Sequence, residues 1–363
     1  MRPRNRADAL AVDIVISNHN YGAFVIAAIE SARAQSHPDV SVVVVDDGST
    51  DDSRQLLNAY AGAVDLVLQE NRGQAAALNA GLERCQGDVV IFLDADDALR
   101  PDVAARVAAA LAADPEIARV QFGMDVIDAD GLPSGATKPP PHLPLPSGDL
   151  RRAEVTYPFD IPWLPTSGNA FRRRALRRIL PIPELDYPRC GADWHLIHLS
   201  TLLGPVASLE GIGASYRVHE RNNYEPREQR LELAHVRQTI AYAGATAGGL
   251  ERLADELGLA RPRRILSVSD VGNRLLSRRL EPELHPRPDD TVAGLFRDGT
   301  RAIRRRSDVS WPMKLVLVAW LAATAVAPRR LTRWLGELFL FPERRRPLNR
   351  PLALLRRRHA DGR

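Results

Sequence analysis

Short apolar runs alternate with helix-like segments through the first hundred residues, and each run has the length of one buried strand. The runs are VDIVI (12–16), VSVVVV (40–45), VDLVLQ (64–69) and DVVIFL (88–93). Between them, apolar residues three or four positions apart predict helices. Strands that alternate with helices form parallel sheets, because a parallel connection needs a long crossover. We therefore predict an α/β fold with a mostly parallel sheet flanked by helices.

Two of these runs end in clustered carboxylates. Asp46 and Asp47 follow the second run, while Asp94, Asp96 and Asp97 follow the fourth. Unpaired carboxylates packed this closely would raise one another's pKa. In an extended segment positions i and i+2 share a side, so Asp94 and Asp96 can converge on one ligand while Asp97 points away or caps the next turn.

Ligands of such sheets bind outside the carboxyl ends of the strands. A divalent cation carrying a nucleotide diphosphate would neutralise the acids there. The alternative is a helix N-cap with solvated carboxylates.

Composition is that of an ordinary globular protein, with 363 residues, 45% hydrophobic and 26% charged. The two cysteines, Cys85 and Cys190, argue against a disulfide scaffold or a cysteine-ligated zinc site and suit a reducing cytoplasm. The first residues, MRPRNRADALAVD, contain no apolar core, so we do not expect a signal peptide.

Strand signals continue to about residue 223, and long helical patterns follow. We predict an N-terminal tail over 1–11, a catalytic α/β domain over 12–225 and a helical C-terminal region over 226–363. Within the α/β domain, the proline-dense segment 138–146 predicts an irregular loop, and 211–223 predicts a short strand.

Two apolar segments lie near the C-terminus, at 315–327 and 334–341, and eight arginines occur between Glu343 and Arg363. A membrane-spanning helix needs about 20 apolar residues, which neither segment supplies. We predict that this region associates peripherally with an anionic membrane on its cytoplasmic side. The competing interpretation is a buried helix docked on the catalytic domain. We do not expect nucleic-acid binding, because the arginine tail lacks aromatic residues for base stacking.

Six motifs occur in the order found in family 2 glycosyltransferases with the GT-A fold: VDIVISNHNYG, VVVVDDGSTDDS, NRGQAAALNAGL, VVIFLDADD, TSGNAFRR and GADWHL. The chain resembles this family over about residues 12–223. The resemblance implies inverting transfer of a sugar from a nucleotide-diphosphate sugar, of the UDP or dTDP type, to a hydroxyl of a glycan or lipid-linked acceptor. It also implies Mg²⁺ or Mn²⁺ as cofactor.

The resemblance assigns roles residue by residue. Asp193 corresponds to the general base, and Asp96 and His219 to metal ligands. The nucleotide-sugar site would be formed by Ser17, His19, Asn20, Asp47, Arg72, Gly73, Asp94, Asp96, Gly168 and Asn169. In this assignment Asp47 contacts the base, Asp94 lies on the ribose side, and Asp46 is structural.

The chain departs from the family pattern at two places. Ala192 replaces a glutamate that often precedes the base, and Leu78 stands where arginine is common. The second change leaves any phosphate contact from that helix in question.

Several alternatives stay open at the level of the sequence. Asp193 would also suit a plain helix cap, and His219 an ordinary loop residue. A nucleotidyltransferase would also use metal-binding acids on a parallel sheet, but it would want a glycine-rich basic loop that SNHNYG does not provide. A non-catalytic sugar-nucleotide-binding scaffold of a polysaccharide assembly is the remaining alternative.

Overall fold

The computed structural model describes residues 10–222, 230–341 and 344. Most of the predicted N-terminal tail, the predicted boundary at 225–226 and, apart from Arg344, the arginine tail lie outside these residues. The described residues divide into two compact units. The first comprises those up to 222 together with Gly244–Ile265, and the second comprises those from 230 to 243 together with those from Leu266 onward.

Four parallel strands form one half of the sheet in the first unit, in the order β3-β2-β1-β4. They are β1 (Val12–Asn18), β2 (Val40–Asp47), β3 (Asp65–Gln69) and β4 (Val89–Asp94). The crossover helices are α1 (Gly22–Arg33), α2 (Ser53–Asn58) and α3 (Gln74–Arg84). This half confirms the prediction of an α/β fold with a mostly parallel sheet, and its strands begin within one residue of the predicted runs.

The other half of the nine-stranded sheet is mixed. Its strands are β5 (Ala98–Leu99), β6 (Arg119–Ile127), β7 (Pro133–Lys138), β8 (Asn169–Arg172) and β9 (Val206–Arg217). Strand β8 is antiparallel to both β4 and β6, whereas β9 runs parallel to β6. The helices here are α4 (Val103–Ala113), α5 (Arg151–Glu154), α6 (Arg173–Leu176) and α7 (Ala192–Ser200). The short strand predicted within 211–223 is the second half of β9, which begins earlier, at Val206, and has 12 residues.

The main core lies between the sheet and the helices α1 and α4. Val25 and Ile29 of α1 pack with Ile14, Val44 and Ile91 of the central strands, and all five are buried. Burying each such side chain contributes about 1.5–3 kcal/mol. The opposite face is covered by α3, and Gly81 lies so close to β1 that an added Cβ would stand 2.4 Å from Val15. The central strands are thus covered on both faces, which explains their unbroken apolar sequences.

The second unit is helical. Its helices are α9 (Val268–Leu280), α10 (Val292–Arg305), α11 (Trp311–Val326) and α12 (Arg329–Leu340), and it also includes the first part of α8 (Leu233–Glu256). Leu275, Leu295, Ile303 and Leu321 form the centre of its core. Residues 230–341 contain no strand, as the sequence pattern predicts.

The apolar segment 315–327 forms most of α11, and only Ala327 lies beyond the end of the helix. One side of α11 packs into this core, and the other side is exposed. Trp311, Leu315 and Val316 are 69%, 55% and 56% exposed. Within the described part of the chain, no helix combines the length and apolar character that crossing a bilayer requires.

Candidate active site

The parallel register brings the acidic strand ends together at one edge of the sheet. Strand β1 lies between β2 and β4, with Ser17 aligned to Asp94 on one side and Asn18 aligned to Asp46 on the other. Asp47 is the last residue of β2. The carboxylates that are far apart in the sequence are therefore neighbours in the fold.

Asp46 is held by the protein itself. Its carboxylate accepts hydrogen bonds from Asn18 Nδ2 at 2.9 Å, from the Ser49 N–H at 3.1 Å and from Arg54 Nε at 2.8 Å. Burial opposes ionisation, but the hydrogen bonds from Ser49, Arg54 and Asn18 outweigh it and hold the pKa of Asp46 below its ordinary value. Its side chain is fully buried. Its hydrogen bonds to Asn18 and Arg54 join β2 to β1 and to α2.

Asp47 organises the loop before α3. Its Oδ1 accepts hydrogen bonds from Gln69 Nε2 at 2.7 Å and from the Arg72 N–H at 2.8 Å, and its Oδ2 accepts one from the Gly73 N–H at 2.7 Å. The Arg72 side chain meanwhile pairs with Glu184, at 2.8 Å. The carboxylate thus fixes the backbone of the Arg72–Gly73 loop at the edge of the site.

Gly73 is required by close packing at this point. Its φ is +89°, and an added Cβ would lie 2.2 Å from the carbonyl oxygen of Pro188. Only glycine tolerates that conformation and that contact together. The Arg72–Gly73 loop is therefore packed closely against the segment that precedes α7.

His19 and Asn20 form a second polar loop beside Asp47. His19 Nδ1 lies 2.8 Å from the Asp47 carbonyl oxygen, and Nδ2 of Asn71 lies 3.1 Å from His19 Nε2. Asn20 has a φ of +61°, and its Oδ1 accepts hydrogen bonds from the backbone of Thr50 and Asp51. The structure therefore places Ser17, His19, Asn20, Asp47, Arg72 and Gly73 around one edge of the sheet.

Asp94 and Asp97 are buried acids on either side of Asp96. The Asp94 N–H donates to Ser167 Oγ at 3.0 Å, and the Asp97 Oδ1 accepts from the Arg217 N–H at 2.9 Å. Burial, and then the charge of Asp96, raise the pKa values of both Asp94 and Asp97. Among the described residues, Asp97 Oδ2 has no hydrogen-bond partner. Such a cluster favours a cation at this position.

Asp96 and His219, the two predicted metal ligands, are brought into contact by the fold. His219 Nε2 lies 3.1 Å from Asp96 Oδ2, and the rings of Tyr21 and Phe24 pack against the imidazole at centroid distances of 5.5 and 4.6 Å. Within residues 10–222, 230–341 and 344, no three His, Cys, Asp or Glu side chains are grouped to hold an ion. Two protein ligands fit Mg²⁺, which keeps several waters and takes further oxygens from phosphates.

Asp193 is the first-turn acid of α7. The helix begins after Gly191, which has a φ of +90°. Burial raises the pKa of Asp193 to about 6, against the hydrogen bond from the Trp194 N–H. A carboxyl group with such a pKa is ionised at neutral pH and is basic enough to accept a proton.

Gln74 joins the two acidic parts of the site. Its Nε2 donates to Asp94 Oδ1 at 3.2 Å, while its Oε1 accepts from the Gly191 N–H at 3.1 Å and the Ala192 N–H at 3.3 Å. One amide thus connects the end of β4 with the start of α7. Sequence reasoning missed Gln74, although its place at the start of α3 behind Gly73 could have indicated it.

Gly168 and Asn169 are fully buried, and the Asn169 amide is used within the protein. Asn169 Oδ1 accepts from Arg119 Nη1 at 2.6 Å, and Nδ2 donates to the Pro165 carbonyl at 2.8 Å. Burial lowers the pKa of Arg119 to about 10. This network supports the Thr166–Gly168 turn, and the role of Arg119 could not be predicted from the sequence pattern.

The chain is similar to known glycosyltransferases. The profile of the family described as Glycosyl transferase family 2 matches residues 13–180. A glycosyltransferase of Nostoc sp., itself uncharacterized, is 36% identical over 222 residues, covering 59% of this chain and 67% of the relative. Succinoglycan biosynthesis protein ExoO of Rhizobium meliloti is 32% identical over 245 residues, covering 63% of this chain and 66% of the relative.

A shorter match of 42% identity links 27% of this chain to an undecaprenyl-phosphate 4-deoxy-4-formamido-L-arabinose transferase of Pseudomonas fluorescens. The chain spans only 28% of that relative's length. Among solved structures, residues 1–349 of S. aureus TarS superpose with a TM-score of 0.55 at 15% identity, covering 91% of both chains. TarS has also been solved in complex with UDP and with UDP-GlcNAc. The likeness to TarS confirms the predicted GT-A fold with a helical C-terminal region.

Proposed function

Because the chain belongs to glycosyltransferase family 2, we propose that it transfers a sugar from a nucleotide-diphosphate sugar to a hydroxyl acceptor, with metal dependence and inversion. The observation that carries this proposal is the convergence of Asp94, Asp96 and Asp193. These acids come from two separate segments, and Gln74 joins Asp94 to the turn before Asp193. A non-catalytic scaffold would need the donor acids but not a partly buried carboxyl whose pKa is raised to about 6.

In this proposal the nucleotide lies along the ends of β1, β2 and β4. The loops of Ser17, His19 and Asn20 on one side, and of Arg72 and Gly73 on the other, line the pocket for the base. Asp47 lies between these loops, and its carboxylate faces the base edge. Uridine and thymidine bases present an N–H to such an acceptor, which supports a donor of the UDP or dTDP type.

Asp96 and His219 would hold Mg²⁺ or Mn²⁺, and Asp94 would face the ribose. When bound, the ion would supply Lewis-acid stabilisation of the charge that develops on the diphosphate. Gly168 would lie near the donor sugar, with Asn169 supporting that turn from behind. The buried acids keep their positions through Ser167, Gln74 and Arg217.

Asp193 acts as the general base in this proposal. The acceptor oxygen attacks the anomeric carbon, its proton passes to Asp193, and the electron pair of the broken C–O bond leaves on the diphosphate. A single displacement of this kind inverts the anomeric centre. The carboxylate of Asp193 is ready for this role because its pKa of about 6 leaves it ionised at pH 7.

The second unit supports attachment to the cytoplasmic face of a bacterial membrane. Trp311, Leu315 and Val316 form an exposed apolar surface on α11, and the exposed Arg329 and Arg330 begin the next helix. An exposed apolar surface beside basic groups suits the headgroup region of an anionic bilayer. A glycan or a lipid-linked acceptor of cell-surface polysaccharide or glycolipid synthesis would be available there, which agrees with the names of the relatives.

A panel of nucleotide sugars tests the proposed activity. We expect one donor of the UDP or dTDP type to raise the melting temperature in the presence of Mn²⁺, and to be hydrolysed slowly without acceptor. Ligand at about 100 times its Kd should add about 2.7 kcal/mol to the free energy of unfolding. Stabilisation without turnover would favour the scaffold. Release of pyrophosphate from a nucleoside triphosphate and a sugar phosphate would favour a nucleotidyltransferase.

A further inference from the structure

Three aromatic side chains form a cluster beside the candidate base. The rings of Trp163 and Trp194 meet edge to face at a centroid distance of 5.3 Å, and Phe159 packs against Trp194 at 5.1 Å. Trp194 is buried, whereas Phe159 and Trp163 are partly exposed. We call these three residues the aromatic platform. It leaves apolar ring surface open to solvent within an otherwise polar part of the first unit.

The platform is built on the same two segments that carry the candidate site. Trp194 directly follows Asp193 at the start of α7. Trp163 precedes the Thr166–Gly168 turn, where Ser167 accepts a hydrogen bond from the Asp94 N–H. The charge of His198, whose ring packs against all three aromatic side chains, also acts on the Asp193 carboxylate, so the platform and the candidate base belong to one neighbourhood.

A buried pair of side chains, His198 and Glu154, packs against the platform. His198 is 2% exposed, and its Nδ1 lies 2.7 Å from Glu154 Oε1. Its imidazole lies 5.1 Å from the Phe159 ring, 5.6 Å from Trp163 and 5.8 Å from Trp194. In the part of the chain that the structure describes, His198 Nε2 has no hydrogen-bond partner, so the ring is placed by Glu154 and by aromatic packing. The rings of the platform are thereby fixed before any ligand arrives, which lowers the entropic cost of binding.

We propose that the aromatic platform is the acceptor subsite and that it receives the ring of a saccharide. This proposal rests on the function proposed above. A pyranose has C–H groups on one face, which pack on the electron-rich face of an indole, and hydroxyls at its rim, one of which can reach Asp193. The platform thus selects an acceptor that is apolar on one face and rich in hydroxyls at its edge.

The neighbouring charges favour a sugar ring over a polyprenyl phosphate in this subsite. The ionisable groups beside the platform are Asp193, Glu154 and His198, and Glu154 is buried against His198. The carboxylate of Asp193 would repel a phosphate placed next to it. A polyprenyl chain would match the apolar rings but has no hydroxyl to offer the base. In a lipid-linked acceptor, therefore, the terminal sugar occupies the platform.

Kinetics with simple acceptors test this subsite. Methyl pyranosides and disaccharides serve as probes, at a saturating concentration of the donor found by the panel screen. We expect Trp163→Ala to raise the acceptor KM about tenfold, the equivalent of one lost stacking contact, with a smaller effect on kcat. Trp163→Phe should recover most of the affinity, because a ring remains. Tyr60→Ala is the matched control: Tyr60 is a partly exposed aromatic residue at the end of α2, beside Arg33.

The result distinguishes the subsite from general support of the fold. A donor Kd that rises as much as the acceptor KM would show a structural role for Trp163 and overturn the proposal. Transfer to polyprenyl phosphate with no transfer to any saccharide would overturn it as well.

Binding of the same pyranosides, followed by saturation-transfer NMR without donor, tests the subsite separately from the proposed activity. Binding that Trp163→Ala abolishes would support the platform even if no donor were found. No binding to the native protein, with or without UDP and Mn²⁺, would overturn it.

Discussion

His219 Nε2 lies 3.1 Å from Asp96 Oδ2, although 123 positions separate the two residues in the sequence. Asp96 lies in the turn between β4 and β5. His219 follows β9, which belongs to the other half of the sheet. The contact brings together the two halves of the sheet at a cluster of buried acids. It is the arrangement on which the proposed metal binding depends.

Removal of Asp96 should therefore abolish metal-dependent donor binding. We expect Asp96→Ala to lose the Mn²⁺-dependent part of UDP affinity, because the ion would keep only His219 as a protein ligand. Isothermal titration of UDP with and without Mn²⁺ measures the effect. Asp102→Ala, which removes an exposed acid after β5, is the control. Unchanged affinity in Asp96→Ala would place the ion elsewhere.

Substitution of Asp47 should weaken nucleotide binding without removing the metal site. In Asp47→Asn an amide replaces the carboxylate that accepts from the Arg72 and Gly73 N–H groups. We expect UDP affinity to fall by on the order of 1–3 kcal/mol, the cost of one hydrogen bond to a charged group. Competition between UDP and ADP provides the check. Equal binding of UDP and ADP by the native protein would contradict the assignment of the base pocket.

Asp193→Asn should bind donor and transfer sugar about 10²–10⁴ times more slowly, because the acceptor proton then has no base. In the native protein, turnover should fall as the pH drops below about 6, where the Asp193 carboxyl takes up a proton. Rates with saturating donor and acceptor between pH 5 and 8 measure both effects. Near-native turnover in Asp193→Asn would show that Asp193 is not the general base and only caps the helix.

The same substitution should stabilise the protein at neutral pH. Burial raises the pKa of Asp193 from 3.8 to about 6, so the folded state binds this proton more tightly than the unfolded chain does. The contribution of the group to stability is complete below about pH 4 and is lost as the pH rises through 6. Asp193→Asn should therefore gain on the order of 1–3 kcal/mol at pH 7.5 in urea unfolding, and little at pH 4. An equal effect at both pH values would argue against a buried, ionised Asp193.

Asn169→Ala should destabilise the first unit. The substitution leaves the buried Arg119 without its hydrogen bond to Asn169 Oδ1. Arg119 keeps its hydrogen bonds to Gln121 and Thr201, so the loss is that of one hydrogen bond to a charged group, about 1.5–3 kcal/mol. Urea unfolding measures the loss, with the exposed Asn58→Ala as control. Full stability of Asn169→Ala would show that Asn169 has no structural role, and would favour the predicted contact with the donor.

Charge on the exposed face of α11 should abolish membrane association. We expect Leu315→Glu combined with Val316→Glu to reduce binding to anionic vesicles more than tenfold, since both side chains must leave water. High salt should weaken the native interaction, because it screens the arginines. Vesicle co-sedimentation measures both, with Leu185→Glu as control, since Leu185 is 95% exposed in the first unit. Native protein that stays in the supernatant at low salt would contradict the proposal.

The parallel half of the sheet could be read from the sequence because its strands are buried on both faces. Burial forces unbroken runs such as VVVV in β2, and the acids at their ends interrupt the pattern sharply. Parallel pairing then places these ends at one edge without further information. For this reason the position of these acids at one edge of the sheet was predictable, while their exact hydrogen bonds were not.

The other half was harder because its strands carry polar residues with structural roles. Strand β6 begins with Arg119 and includes Gln121, both buried and hydrogen-bonded to distant segments. Strand β9 is interrupted by Gly211, with a φ of +73°, near a shift of register against β6. Such features follow from long-range contacts, which local periodicity does not report. The pairing of His198 with Glu154, 44 positions away, escaped prediction for the same reason.

Gln74 limits how this chain can be recombined with its relatives. Its amide accepts from the turn that starts α7 and donates to Asp94, so the two segments fit each other through one side chain. A segment exchange intended to alter acceptor choice by replacing 188–200 alone would leave this amide facing a foreign turn. A chimera that exchanges residues 73–74 together with 188–200 retains the matched pair. These two segments form one unit that can be inherited or engineered as a whole.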